Sequence, residues 1–237
     1  MRSMARKKIV FVIVEGPTDD EALGVMLDRI FDKYTVHVEI MRCDITTERG
    51  VGENRVVAKV GKAIRDFAAQ NHYTVKDFKE VIHIVDTDGA FIPDECVLED
   101  PGIKRIRYED GEIIAKNRDA IVSRNRQKST NLRVLVGCSH VLKTIPYHVY
   151  YMSCNLDHVL HDNRNSTNDQ KCENAYRFSK KYKNDVAEFI TYISASDFSV
   201  MDGYKSSWQF IDAGTNSLNR YTNLGLCFER YFEREYT

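Results

Sequence analysis

The feature that most constrains the fold of this chain is an uninterrupted apolar run from Ile9 to Val14, rich in β-branched residues. A run of this length and composition is typical of a strand buried on both faces, as in a parallel sheet. Glu15 follows the run directly. In open α/β sheets, ligands bind at the carboxyl ends of the strands. The pattern therefore predicts a carboxylate at the ligand-binding edge of a parallel sheet.

The segments that follow alternate between helix and strand patterns. "PTDDEALGVMLDRIFDKY" begins with proline and repeats apolar residues on one helical face, and "GENRVVAKVGKAIRDFAAQN" predicts a second amphipathic helix. "TVHVEIMRC" and "KEVIHIVDTDGAF" predict a second and a third strand, the latter ending in acids. Strands joined through helices pair in parallel, so their carboxyl ends share one edge. We expect an α/β fold with a mainly parallel, Rossmann-like sheet flanked by helices.

The later part of the chain is less regular. Residues 89–115 contain two prolines and several glycines, and we expect an insertion there with a short hairpin at "IKRIRYEDGEII". "PYHVYYM" predicts a further strand, and "CENAYRFSKKYKNDVAEFITYI" has one continuous helical period. We therefore predict an α/β domain over 1–165 and a largely helical C-terminal extension over 166–237 that packs on it.

Charge and cysteine content restrict the partners and the compartment. The 237-residue chain has a formal net charge of −1, so contact with nucleic acid would need a local basic patch rather than a uniformly basic surface. Its six cysteines form no CxxC pair. No apolar run approaches the roughly 20 residues of a membrane span, and the basic N-terminus lacks the features of a secretory signal. We expect a cytoplasmic protein with reduced thiols and no membrane contact.

Carboxylates cluster around two strand ends. Glu15 and Asp19 flank the end of the first strand and the start of the first helix, and Asp86 and Asp88 follow the third strand. Such oxygen ligands suit Mg²⁺ or Mn²⁺, and like charges so close need a cation or a raised pKa to coexist. Two structural explanations stay open: Asp19 could cap the helix, and "DTDG" could be a turn with Gly89 at positive φ.

The same residues give a family resemblance. "VIVEGPTDDEAL", followed by "IHIVDTDGA", resembles the Toprim domain over roughly residues 7–90, with Glu15 and the Asp86-x-Asp88 pair as its signature. Asp19 matches an additional acid of OLD-type Toprim nucleases. "YYMSCNLDHVLHD" is similar to a segment of RloB-like Toprim proteins, although it is less apolar after the acid, and this similarity adds Asp157 as an extra ligand.

The resemblance implies a metal-dependent nuclease of DNA or RNA, with tRNA among the substrates to consider. It implies catalytic roles for Glu15, Asp86 and Asp88, and metal binding by these three with Asp19 and Asp157. Topoisomerase and primase activities would need further domains, and nuclease activity fits one compact chain. A role in defence against phage follows from the OLD and RloB-like resemblance alone. No GxxxxGK[ST] motif occurs, so an activating partner such as a separate ATPase stays open, as does a homodimer.

A basic segment offers a surface for such a substrate. Between residues 116 and 133, six basic residues face a single acid. They could bind backbone phosphates without reading sequence, and the alternative is a solvated helix face. The six are Lys116, Arg118, Arg124, Arg126, Lys128 and Arg133.

Other chemistries compete with the nuclease interpretation. "VIHIVDTDGAF" also resembles the first motif of haloacid-dehalogenase phosphatases, in which Asp86 would be the nucleophile and Asp88 the acid/base, with Asp197 and Asp202 as later acids. That motif normally follows the first strand of its domain, and this scheme leaves Glu15 without a role. A non-catalytic Toprim binding module is the third alternative.

A zinc site is a weaker possibility. Cys154, His158 and His161 would share one stripe if residues 154–161 were helical, but no fourth ligand is evident. Structural zinc sites usually have tighter paired spacing, so buried polar residues near the active edge are the favoured interpretation.

Overall fold

The computed structural model describes residues 7–31, 36–42, 45–47 and 53–233. The strands are β1 (Lys8–Val14), β2 (Val36–Arg42), β3 (Phe78–Asp86), β4 (Val97–Glu99), β5 (Arg107–Tyr108), β6 (Ile113–Ala115), β7 (His140–Val141) and β8 (Ile145–Met152). The helices are α1 (Pro17–Ile30), α2 (Glu53–Gln70), α3 (Arg118–Val136), α4 (Leu156–His161), α5 (Asn168–Tyr182), α6 (Val186–Ala195), α7 (Tyr204–Ile211) and α8 (Gly225–Glu233).

The main sheet has five strands in the order β2-β1-β3-β8-β7. β2, β1, β3 and β8 pair in parallel, and β7 pairs antiparallel with β8 at the edge. The predicted α/β class with a mainly parallel sheet flanked by helices is therefore confirmed. β1 and β3 are direct neighbours, with Ile13 opposite His83, so the carboxyl ends of these two strands meet at one edge.

The first strand is covered on both faces, as its continuous apolar run predicts. Val10, Val12 and Val14 belong to a core formed with helices α1, α4, α5, α6 and α8. Ile9, Phe11 and Ile13 belong to a second core formed with helices α2, α3 and α7. Alternate residues of a strand point to opposite faces, so β1 ties the two helical layers together. None of the helices in the described residues combines the length and apolar character of a membrane span.

Residues 89–115 build a small second sheet beside the carboxyl edge of the main one. β4 pairs in parallel with β6, and β5 pairs antiparallel with β6, which gives the predicted hairpin. Its apolar residues pack against α3 and against Cys154 and Leu218. The insertion is thus fixed to the sheet edge by its own core.

The segment after residue 167, which the sequence predicts to be helical, forms two helices. α5 ends at Tyr182 and α6 begins at Val186. Asp185 is the N-cap of α6, because its side chain accepts a hydrogen bond from the backbone of Glu188 at 2.8 Å. The cysteines of the described residues are free thiols, and Cys43 lies outside them.

Candidate active site at the carboxyl edge of the sheet

Two acidic strand ends meet at the carboxyl edge. Glu15 follows β1 directly, and Asp86 is the last residue of β3, the parallel neighbour of β1. Both residues are only partly exposed. The sheet therefore brings together the first carboxylate and the Asp-x-Asp pair, because neighbouring parallel strands end on the same side.

The turn after β3 holds Asp88 in an unusual backbone conformation. Asp88 has φ 51° and Gly89 has φ 66°, both in the left-handed region. Aspartate tolerates this region better than most residues. At Gly89 a Cβ atom would lie 2.5 Å from the side chain of Leu218, so only glycine fits. The sequence prediction of a turn with Gly89 at positive φ is confirmed, and this turn aims the Asp88 side chain at the site.

The turn is fastened from the C-terminal part of the chain. Thr87 is fully buried, and its hydroxyl donates to the carbonyl oxygen of Ser217 at 2.8 Å. The same oxygen of Thr87 accepts from the backbone N–H of Cys154 at 2.8 Å. The backbone N–H of Asp88 donates to the Cys154 carbonyl at 2.7 Å. Residues far apart in sequence thus position the Asp-x-Asp pair.

Lys128 lies between the two strand ends. Its Nζ donates to Glu15 Oε1 at 3.2 Å and also bonds Asp88 Oδ2. The Lys128 side chain has no exposed area, whereas those of Glu15 and Asp88 are 13% and 24% exposed. The buried hydroxyl of Thr46 donates to Glu15 Oε1 at 3.4 Å. One ammonium group therefore bridges two carboxylates on the α3 side of the site.

Asp88 is the stabilised carboxylate of the pair. Burial would raise its pKa, but the Lys128 ammonium and the Arg124 guanidinium outweigh burial and hold the pKa below its ordinary range. Tyr108 donates its hydroxyl to Asp88 Oδ1 at 3.4 Å, and burial raises the pKa of this tyrosine, so the donor keeps its proton. Asp88 is therefore ionised and tied on three sides.

The pKa of Asp86 is shifted in the opposite direction to that of Asp88. Burial raises its pKa well above the usual range, and the negative charges of Asp19, Glu15 and Asp88 raise it further, while Lys128 opposes them only in part. These mutual effects show that the four carboxylates act on one another electrostatically. Asp86 faces an excess of negative charge.

Asp19 and Asp157 extend the negative side of the site. Asp19 Oδ2 accepts the backbone N–H of Gly16 at 2.8 Å, so Asp19 caps the backbone at the start of α1. Burial raises the pKa of Asp19, and Asp157 adds to the rise, while the Gly16 bond and Lys171 oppose it. Asp157 itself is buried at the start of α4 and accepts from Asn174 Nδ2 at 2.9 Å. The cap explains the Asp19 backbone contact and leaves its charge beside Asp86.

The carboxylate oxygens of the site are the kind of ligand that hard cations prefer. In the described part of the chain, no three or more Asp, Glu, His or Cys side chains are grouped so that they could already hold a metal ion. The oxygen donors and the excess negative charge around Asp86 nevertheless match what Mg²⁺ or Mn²⁺ requires. A cation at this edge would relieve the repulsion that raises the pKa of Asp86.

A cleft opens in front of the acids. Its volume is about 610 Å³, and Asp86 and Asp88 lie at its base. The insertion forms one wall through residues 103–108, and the segment from Asn155 to Lys171 contributes the other. A cleft of this size falls in the range that holds small ligands or short segments of a polymer.

Three of the six basic residues predicted to bind nucleic acid differ sharply in exposure. Lys116 is exposed just ahead of α3. Arg124 is half-buried, where it donates to the Asp88 carbonyl oxygen at 2.9 Å and to the Tyr108 hydroxyl at 3.2 Å. Lys128 is buried in the acidic site and so does not reach the surface. The six therefore do not form one solvent-facing patch.

The other three basic residues are engaged with neighbouring groups. Arg118 donates to two carbonyl oxygens of the insertion, at 2.9 and 2.8 Å. Arg126 pairs with Asp94, and Arg133 pairs with Asp212 at 2.6 Å. Contact of these side chains with nucleic acid stays a prediction.

The cysteine and histidine stripe does not form. Cys154 precedes α4 with φ 58°, off the helix that holds His158 and His161. Burial lowers the pKa of His158 to about 4, and Arg164 donates to its Nε2 at 3.2 Å, so this imidazole is neutral. His161 packs edge-on against the Phe178 ring. These contacts are those of buried polar residues.

Sequence reasoning missed Ser217, and it predicted Lys128 to bind phosphate rather than to pair with Glu15 and Asp88. Lys128 lies on the buried stripe of α3, at the i, i+4, i+7 spacing that also places Ile121, Asn125, Leu132 and Leu135 inward. A lysine on an apolar stripe was therefore a usable signal for a buried charge. No local pattern marks Ser217, because its role depends on contact with Thr87 across the fold.

We compared the chain with protein-family models, with curated proteins and with solved structures, and none of the three comparisons gave a match.

Proposed function

We propose that the chain is a Toprim-type nuclease that hydrolyses phosphodiester bonds of DNA or RNA with Mg²⁺ or Mn²⁺. The main supporting observation is the meeting of Glu15 with Asp86 and Asp88 at the carboxyl ends of β1 and β3. Asp86 and Asp88 line a cleft of about 610 Å³, through which a phosphate would reach them. The sequence resemblance to Toprim domains assigns nuclease chemistry to the same three residues.

The reaction requires a water oxygen to attack phosphorus, after which the bond from phosphorus to the leaving sugar oxygen breaks. Glu15 is the candidate general base or acid, since it is partly exposed and held by Lys128 and Thr46. Lys128 holds the carboxylates of Glu15 and Asp88 in place and lowers the pKa of Asp88. The proton lost by water would pass to a carboxylate, and the leaving oxygen would take up a proton.

The proposed metal ligands are the carboxylates on the negative side of the site. A bound divalent cation supplies charge neutralisation at the phosphate and lowers the pKa of water. Within this chain, the residues available to hold one or two ions are Glu15, Asp19, Asp86, Asp88 and Asp157. Asp86 is the strongest candidate, because its environment is the least compensated.

The biological setting belongs to the proposal as well. Defence against foreign nucleic acid follows from the OLD-type and RloB-like resemblance. An activating protein, such as a separate ATPase, and a homodimer are compatible with the same proposal. Both can be tested once a substrate has been found.

The test is cleavage of a mixed panel of single- and double-stranded DNA and RNA, including tRNA, with Mg²⁺ or Mn²⁺. Wild type is compared with Glu15→Gln, Asp86→Asn and the matched control Asp20→Asn, in which the changed acid pairs with Arg42 at 2.7 Å. We expect metal-dependent cutting that both site variants abolish and the control retains. Cutting that survives in both site variants would contradict the proposal.

The phosphatase alternative is separated by the same variants. Asp197 and Asp202, its later acids, are exposed between α6 and α7. Turnover of a phosphate monoester that needs Asp86 and not Glu15 would favour the phosphatase. Intact acids without any metal-dependent turnover would favour the binding module.

A further inference from the structure

The cleft in front of the acids has a basic wall that the sequence prediction did not include. Lys104, Arg105 and Arg107 line it from the insertion. Arg164 and Lys171 line it from the other side. Asp86 and Asp88 lie at the base of the same cleft. Five cationic side chains thus surround the approach to the proposed reaction centre.

The two central cations of this wall are available for a ligand. Lys104 and Arg105 are exposed, and neither forms an ion pair within the residues that the structure describes. Arg107 pairs with Glu109 at 3.1 Å, and both side chains are largely exposed. Exposed ion pairs are weak and exchange readily for a stronger anion.

The basic residues of the α3 side do not line this cleft. Arg126 and Arg133 pair with carboxylates, Arg118 is bonded to the insertion, and Lys128 is buried. The positive charge that faces the cleft therefore comes mainly from the insertion and from the segment after α4.

We infer that residues 104–107, with Arg164 and Lys171, bind the phosphate backbone of a single nucleic-acid strand and guide it to the acids. This inference rests on the proposed function. A single strand, whose backbone can follow a basic groove, suits a cleft of about 610 Å³ that is lined by basic side chains. Ile106 is 38% exposed between the basic residues and offers an apolar surface for a base.

Three variants with matched charge test the inference. Lys104→Ala/Arg105→Ala removes the free cations of the wall, and Lys116→Ala/Arg126→Ala removes the same charges from the α3 side. Lys62→Ala/Arg65→Ala removes two positive charges from α2, which does not line the cleft, and is the control for loss of charge alone. Binding of labelled short single-stranded DNA and RNA is measured by fluorescence anisotropy with EDTA, over a series of salt concentrations.

We expect the first variant to weaken binding at least tenfold and more than the second variant does, while the Lys62→Ala/Arg65→Ala control stays within twofold of wild type. The slope of log affinity against log salt should fall by about 1.4, since each phosphate contact on a single strand contributes about 0.7. Equal weakening in the first two variants, or weakening in the second alone, would overturn the inference. Wild type that binds a duplex more tightly than a single strand would overturn it as well.

Binding and cleavage can fail separately. If wild type binds and cleaves, and the first variant binds with the same affinity, the basic wall is refuted and the proposed nuclease function stands. If wild type binds but never cleaves, and the first variant loses binding, the result would support the basic wall and count against the nuclease. Wild type that binds no nucleic acid would refute the basic wall.

Discussion

The two sides of the acidic site differ in how their charge is balanced. On the α3 side, Lys128 bonds both Glu15 and Asp88, and the pKa of Asp88 lies below its ordinary range. On the α1 side, Asp86 and Asp19 have raised pKa values because burial and neighbouring acids disfavour their ionised forms. The difference teaches that the chain supplies its own cations to one side of the site and leaves an excess of negative charge on the other.

The largest effect should come from removing the internal cation. Lys128→Met leaves Glu15 and Asp88 without their shared partner, and we expect the free energy of unfolding to fall by about 3 kcal/mol. Chemical denaturation in metal-free buffer measures the change. The control Lys116→Met removes an exposed lysine and should stay within about 0.5 kcal/mol.

A second variant keeps this prediction testable if Lys128→Met does not fold. Lys128→Met/Asp88→Asn removes the buried cation together with one of its anions, and it should recover part of the loss. A double variant that is less stable than the single one would show that Lys128 does not balance Asp88.

Divalent cations should stabilise the fold by binding on the α1 side of the site, where Asp19 and Asp86 lie. At a concentration about 100 times Kd, a cation that binds only the folded chain adds about 2.7 kcal/mol. We expect Mg²⁺ or Mn²⁺ to raise Tm in wild type and in Asp20→Asn, but not in Asp86→Asn or Asp19→Asn. Thermal melts over a metal titration provide the measurement. An undiminished rise in Asp86→Asn would place the ion elsewhere.

The two acids of the Asp-x-Asp pair should respond to neutralisation with opposite signs. Near neutral pH, we expect Asp86→Asn to raise the free energy of unfolding by about 1 kcal/mol and Asp88→Asn to lower it by a similar amount. The first change relieves an ion that the fold disfavours, and the second breaks the bond to Lys128. The same sign in both variants would contradict the charge balance described above.

The pH dependence of the free energy of unfolding follows from the pKa shifts of Asp86 and Asp88. The folded pKa of Asp86 is raised, so its contribution to stability is complete below the unfolded pKa and is lost as pH rises through the folded value. The folded pKa of Asp88 is lowered, so its contribution is present above the unfolded pKa and is lost as pH falls through the folded value. We expect the effects of Asp86→Asn and Asp88→Asn on the free energy of unfolding to be smaller near pH 4 than near neutral pH. Urea unfolding at both pH values measures them.

The smallest effect is expected at Asp20, one residue from Asp19 in sequence. Its partner Arg42 is 56% exposed, so their ion pair contributes little. Asp20→Asn should change the free energy of unfolding by no more than about 0.5 kcal/mol. A larger loss would mean that the two sides of the site are coupled through the start of α1.

The sequence predicted the strand ends well because their signals are local. A β-branched run followed by Glu15, and another that ends at Asp86, each define a strand and its acid without reference to the rest of the chain. The positive φ of Gly89 was also predictable, since an Asp-Gly pair after a strand favours a turn. These features depend on backbone and side-chain preferences over a few residues.

The missed features depend on tertiary contact. Lys128 looked like one of six surface charges, and only its place on the α3 stripe distinguishes it. The division between α5 and α6 depends on Asp185 acting as a cap, which competes with a continuous helical period. The basic wall of the cleft depends on how the insertion folds back over the sheet edge, and no periodic pattern encodes that position.

The hydrogen bonds from Thr87 to Ser217 and from Ser153 to Tyr221 also have a consequence for protein synthesis. A ribosome makes the chain from its N-terminus, and early segments begin to fold while later ones are still missing. The bond from Thr87 that fastens the Asp-x-Asp turn can form only after Ser217 has left the ribosome. A nascent chain would therefore lack an assembled acidic site during most of its synthesis, which would separate translation of the messenger from any activity of the product.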